Sequence, residues 1–268
     1  MIWWPWARSI RIRMQIDATR LSPAERLLWS CGVIAPDQID LEAIANARGA
    51  RVVHRHLDGC EARLVATAER AVISVSTAGG YEGRRRFSLA HELAHWICDH
   101  KIGSFQCAKE VIGPQNAEAK SVEAHANAFA SQLILPDYLV VPWAQCKRTN
   151  LDVAKTLATD FNASLTAAAI KLAKKAGAPA CIVCHSQSKL LWHQRNTAFA
   201  SDFFVLGALH QETDAFRIAF GAASGMSRPR KEPADRWLSS GGAYRLTIES
   251  QSIKLPDGAV LSLLSLVK

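Results

Sequence analysis

The sequence predicts an α+β protein with its helices and strands in separate blocks along the chain. Three observations predict it. Short runs rich in Val and Ile, VVHRHLDG, ARLVATAE and AVISVS, cluster between Val52 and Ser76. Two long helical patterns follow, over 86–99 and 117–135. After Pro179 the pattern returns to short apolar runs.

The elements can be justified in order. Residues 9–16 alternate polar and apolar, as in a strand or an extended arm. At Ser22 the period changes to helical. Ser22 can cap, Pro23 suits the first turn, and Glu25 stands three places after the cap. A second helix starts at Asp40 and carries Leu41, Ile44 and Ala45. The three strand-like runs end at the break Ala78-Gly79-Gly80. The first long helix runs from Arg86 to Asp99. The second runs from Ala117 to Leu135 and stops at Pro136, because the residue before a proline avoids the α region. The loop between them contains Gly103, Gly113 and Pro114. Two helices then fill 151–175, joined by the turn Asn162-Ala163-Ser164, with Ser164 as cap and Gly177 as stop. The runs ACIVCH, KLLWHQ, DAFRIAF, YRLTIES and AVLSLLSLV read as strands, with a turn at Pro256-Asp257-Gly258 before the last. The expected organisation is an N-terminal extension over 1–20, a first domain over 21–140, a helical segment over 141–177 and a small α/β domain over 178–268.

Composition narrows the function classes. Of the 268 residues, 49% are hydrophobic and 21% charged, an ordinary globular balance. No apolar run approaches the ~20 residues that span a bilayer, and the aromatic, basic start MIWWPWARSIRIR lacks the core of a secretory signal. Seven scattered cysteines suit a reducing compartment. Together these features predict a cytoplasmic protein without a membrane partner. The formal net charge of +8 favours acidic partners, nucleic acid among them, without specifying any.

Chemistry concentrates at HELAH, residues 91–95. On a helix, positions i and i+4 share a face, so His91 and His95 can reach one ion. Glu92 beside them can take a proton from a water at the ion. This is the zincin-like arrangement of a Zn2+ hydrolase, with zinc lowering the pKa of water toward ~7. Phe87, Ala90, Leu93, Ala94 and Ile97 recur at helical spacing and leave the histidines on another face. The alternative is a coincidental polar stripe on an amphipathic helix.

A third protein ligand is needed, leaving one position open. Cys98 and Lys101 stand where the elongated three-histidine motif needs Gly and His. The stretch SVEAHANAFASQLILP offers Glu123, with Asn127 four places on as a holder of a histidine's far nitrogen. It also offers His125, about 200° around the helix from Glu123, so both cannot face the same ion.

The two blocks RRRFSLAHELAHWICDH and EAHANAFASQLILP, with DLEAIANARGARVV upstream, resemble the ImmA/IrrE family of zinc metallopeptidases over roughly 20–140. The resemblance implies that His91, His95 and Glu123 bind zinc and that Glu92 is the catalytic base. It implies a cytoplasmic endopeptidase that cleaves a partner helix-turn-helix repressor in a stress or mobile-element response. It further implies a helix-turn-helix-like segment and a GAF-like sensory domain after the protease, compatible here in order and length. The chain departs from the family at Asp99, where a histidine is common and where this chain has His100 one place later. Residues 1–17 have no counterpart.

Other features carry weaker signals. Cys181-Ile-Val-Cys184-His185 matches the covalent haem pattern, but a strand would turn Cys181 and Cys184 to opposite faces, and packed free thiols are favoured. Lys171, Lys174 and Lys175 could meet DNA phosphate, yet the second helix of the pair offers no base-reading side chain, so a packed hairpin is favoured. One of Arg84, Arg85 and Arg86 could brace the site or bind substrate. Tyr81, His100 and His125 are candidates to stabilise an oxyanion. Two non-catalytic alternatives remain: a DNA- or protein-binding regulator with structural zinc, and a toxin–antitoxin or signalling partner that acts by complex formation.

Overall fold

The computed structural model describes residues 16–78, 82–99, 117–221, 225–240 and 242–267. The expected arm at 9–16, Tyr81, His100 and the loop with Gly103, Gly113 and Pro114 lie wholly or almost wholly outside them. The chain divides into two compact units. The first contains the residues up to Gln145 together with Thr159–Ser164, and the second Cys146–Ala158 with Leu165–Lys268. The segment expected to be helical at 141–177 is thus shared between them.

The first unit begins with α1 (Pro23–Ser30), whose capping box is complete: Ser22 accepts from the Glu25 amide and Glu25 accepts from the Ser22 amide. Such a cap is worth about 1 kcal/mol. The other carboxylate oxygen of the buried Glu25 accepts from the Tyr138 amide at 3.1 Å. Next comes α2 (Leu41–Ala47), capped by Asp40, which accepts from two amides. A three-stranded sheet follows, with β1 (Ala50–Arg55), β2 (Ala62–Ala66) and β3 (Ala71–Ser76) in the order β1-β3-β2. β1 runs parallel to β3, and β2 antiparallel.

The long helices are α3 (Glu82–Asp99) and α4 (Ala117–Ile134). They pack on each other, and α3 also lies on β2 and β3. Leu64 and Ile73 from the sheet, Leu89 and Leu93 from α3, and Phe129 and Leu133 from α4 are buried in this unit. Truncating such a core residue costs about 2–5 kcal/mol.

Helix α3 begins four residues before the expected Arg86 because its first turn is anchored. A Cβ on Gly83 would stand 2.6 Å from the Ser164 amide nitrogen, so only glycine admits this approach. Asn162, held at φ 48, donates to Glu82 across the same contact. Pro136 ends α4 as expected but also caps a further helix, α5 (Asp137–Ala144), that the proline had hidden. Trp143 of α5 donates to Asp160 at 2.8 Å.

The helical pair is α6 (Leu151–Asp160) and α7 (Leu165–Lys175). The second unit is built on a five-stranded antiparallel sheet. Its strands are β4 (Ala180–His185), β5 (Leu190–Arg195), β7 (Arg230–Pro233), β9 (Thr247–Lys254) and β10 (Val260–Val267), in the order β5-β4-β10-β9-β7. β6 (Phe204–Val205) and β8 (Leu238–Ser239) form a separate ribbon. The turn before β10 is where the sequence puts it, with Gly258 at φ 87. DAFRIAF is a correction: it is helix α8 (Asp214–Phe220), not a strand. Thr213 caps it by accepting from the Phe216 amide, and Ala215, Ile218 and Ala219 face the core at helical spacing. Every residue of β4 is buried, so both faces of the central sheet are covered. The buried Gln251 accepts from the Leu151 amide and donates to Asp152 and to the Ser227 carbonyl, tying the start of α6 to β9. The whole is a mixed α+β chain, and among the described residues no helix is long and apolar enough to cross a membrane.

Candidate metal centre

The centre lies in the first unit, where α3 meets α4. His91 and His95 stand one turn apart on α3, and Glu123 and Asn127 one turn apart on α4, so each helix presents a pair to the other. The His91 and His95 Nε2 atoms are 3.1 Å apart. Glu123 brings Oε2 to 3.3 Å from His91 Nε2 and Oε1 to 3.4 Å from His95 Nε2. The ligand-type atoms of His91, His95 and Glu123 all lie within 4.8 Å of one another. The His95 side chain is 1% exposed, that of His91 17% and that of Glu123 44%, so the cluster is closed on the helix side and open on the other.

Asn127 sets the tautomer of His91. Its Oδ1 lies 3.1 Å from His91 Nδ1, the geometry of an N–H donating to an amide oxygen. Nδ1 then carries the proton, and Nε2 turns a lone pair into the cluster. That lone pair faces a second imidazole nitrogen and a carboxylate, an arrangement of acceptors that a cation between them satisfies. Two imidazoles and one carboxylate are the donor set of a zinc site with an open position. The residues fit the ion. Phe87, one turn before His91, stacks on its ring at 6.5 Å between centroids and 30° between planes.

Glu92 is 6% exposed and adjoins the first histidine of the cluster. His125 is exposed on α4 and outside the cluster. The arginine run divides its roles. Arg84 pairs with Glu61 at 3.0 Å, and Arg86 donates to the Ile39 carbonyl. Burial lowers the Arg86 pKa, with Asp40 and Glu82 opposing the shift. Arg86 is therefore a brace tying α3 to the start of α2. The sequence offered bracing as one alternative for the run; Phe87 and Gly83 it did not single out for the site, although Phe87 stands four places before His91.

The remaining sequence candidates lie elsewhere. Cys181 and Cys184 are buried free thiols on opposite faces of β4, and burial pushes them up to about 12 and about 11. Lys171 is buried in α7, whereas Lys174 and Lys175 at its end are exposed.

Among solved structures, one described as a Mycobacterium tuberculosis transcriptional regulator is similar with a TM-score of 0.58 at 17% identity, over 90% of this chain and 74% of that chain. At that identity the likeness is one of fold. No curated protein matches the sequence. Residues 45–173, which hold the whole cluster, match the family model described as the IrrE N-terminal-like domain, Peptidase_M78. This stretch of the chain belongs to the ImmA/IrrE family.

Proposed function

We propose that the protein is a zinc-dependent endopeptidase whose metal is held by His91, His95 and Glu123. The observation that carries this reading is the convergence of those three side chains within 4.8 Å, with Asn127 holding the far nitrogen of His91. The family match supports the hydrolase class, since its members are zinc-dependent peptidases. Zinc bound here would supply a Lewis acid that polarises the scissile carbonyl and lowers the pKa of water toward ~7. Glu92, buried beside the ligands, takes the proton of the attacking water and delivers it to the leaving amine. His95, almost wholly enclosed, keeps bulk water from one side of the site. Asn127 and Phe87 hold His91 in its working orientation.

In this reading the peptidase domain occupies 21–140, the helical segment 141–177 and a GAF-like regulatory module 178–268. The substrate is a partner helix-turn-helix repressor, and the site is cytoplasmic. The family and the regulator named among similar folds support a regulatory setting of this kind.

Glu92→Gln tests the reading. Zinc-loaded wild type and variant are incubated with soluble proteins of the source cell, and new N-termini are mapped by mass spectrometry. The expected result is equal zinc in both and new N-termini with the wild type alone. Equal zinc with no wild-type cleavage would sink the peptidase reading and leave a regulator with structural zinc.

A further inference from the structure

The three-stranded sheet of the first unit turns its apolar core residues to one face. Ala50, Ala62, Leu64, Ala71, Ile73 and Val75 point to that face and are buried. Alternation sends the intervening residues to the other face, and the register orders them in rows across the sheet. Arg51, Val72 and Val65 form one row, and Val53, Ser74 and Arg63 the next. Arg55 stands beside Ser76 in a third, and Ser74 and Ser76 are buried, so the exposed part of this face is made by the arginines and by Val65 and Val72.

Two properties of this face stand out. Arg51, Arg55 and Arg63 are exposed, and none has an ion-pair or hydrogen-bond partner among the described residues. The carboxylate nearest in register, Glu61, is already paired with Arg84. The turn beyond carries Glu69 and Arg70, which offset each other. Between the arginines, Val72 and Val65 lie side by side at 38% and 47% exposure. Arg51 and Arg63 flank β3 two strand spacings across and two residues along, roughly 12 Å apart.

We propose that this face docks an acidic segment of a partner protein, its carboxylates on Arg51, Arg55 and Arg63 and its apolar side chains on Val65 and Val72. Guanidinium groups hold carboxylates through two parallel hydrogen bonds, and arginine is enriched in protein interfaces. The valine pair favours protein over nucleic acid, since phosphate gains nothing from valine and, among the described residues, no aromatic ring stands on the face to stack a base. A second copy is disfavoured by charge: the chain carries +8, and this face would meet its own arginines. The inference is independent of the peptidase reading, because its measurement is binding.

The test uses the full chain with two fluorescent probes, a peptide of alternating Glu and Leu and a random-sequence DNA duplex, read by anisotropy. Arg51→Glu/Arg63→Glu is compared with Arg228→Glu/Lys231→Glu, which changes the net charge equally at exposed positions of the other unit. The expected result is peptide binding by wild type and control, weakened about tenfold or more in the face variant. Val65→Ser/Val72→Ser should weaken it too, with zinc content and far-UV circular dichroism unchanged throughout. Absence of peptide binding, or equal loss in the face variant and the control, overturns the proposal. DNA binding lost in the face variant overturns it in favour of a nucleic-acid surface.

Discussion

Two short stretches of this chain carry the residue types from which metal centres are built, and they reach opposite ends. HELAH lies on α3, where a spacing of four returns a side chain to the same face, and both Nε2 atoms arrive 3.1 Å apart. CIVCH lies on β4, where a spacing of three reverses the face, and Cys181 joins one apolar cluster while Cys184 points away from it. The histidines differ in the same sense. Asn127 holds His91 by Nδ1 and leaves Nε2 for the cluster. His185 donates Nε2 to the Leu206 carbonyl at 3.0 Å, and its buried Nδ1 has no partner among the described residues. Ligand chemistry is therefore decided by the element that carries the residues and by which ring nitrogen the fold leaves free.

The largest effect that would break this comparison is loss of the metal. His95→Ala and Glu123→Ala should each remove zinc from protein purified without chelators, whereas His125→Ala and Cys181→Ala/Cys184→Ala should keep it. Metal analysis of the folded variants reads this directly. Zinc retained in Glu123→Ala and lost in His125→Ala would move the third ligand to the other face of α4.

A smaller effect sharpens the role of the orienting hydrogen bond. Asn127→Ala removes the acceptor on His91 Nδ1 and leaves the ligands in place. Zinc should still bind, with affinity reduced roughly 10–100-fold in competition with a chelator. Unchanged affinity would mean that helix packing alone orients the ring.

Much of this was legible because it is local. The Ser22 cap, the helix start at Asp40, the Pro256–Gly258 turn and the i,i+4 spacing of HELAH are short-range patterns, and each reappears in the fold. What escaped has two causes. DAFRIAF and the helix after Pro136 were misread locally: a short apolar run suits either period, and a proline that ends one helix can cap the next. Thr213 three places before Phe216 was the cap signal that could have identified α8. The rest depends on distant residues. The need for glycine at position 83 arises from the backbone at 163–164, and the bracing role of Arg86 from the Ile39 carbonyl. Glu123 and His125 are equal in sequence chemistry. The resemblance and then the packing of α4 on α3 separate them.

The smallest effect tests the other side of the comparison, that the histidine of CIVCH is a core residue. Burial lowers the His185 pKa below its ordinary 6.5, with the bond to the Leu206 carbonyl opposing the shift. The folded state therefore binds fewer protons at this site than the unfolded chain wherever the pH lies between the two values. Stability rises with pH there: the penalty is absent well above 6.5 and grows as the pH falls through 6.5 toward the lower folded value. His185→Gln keeps an N–H for Leu206 and cannot titrate. Between about pH 7.5 and about pH 5.5 the unfolding midpoint of the wild type should fall further than that of the variant. Groups common to both proteins cancel in the difference. Parallel falls in the two proteins would mean that the His185 ring is charged in the folded state, and β4 would then have to hold a counter-charge in what is otherwise a core strand.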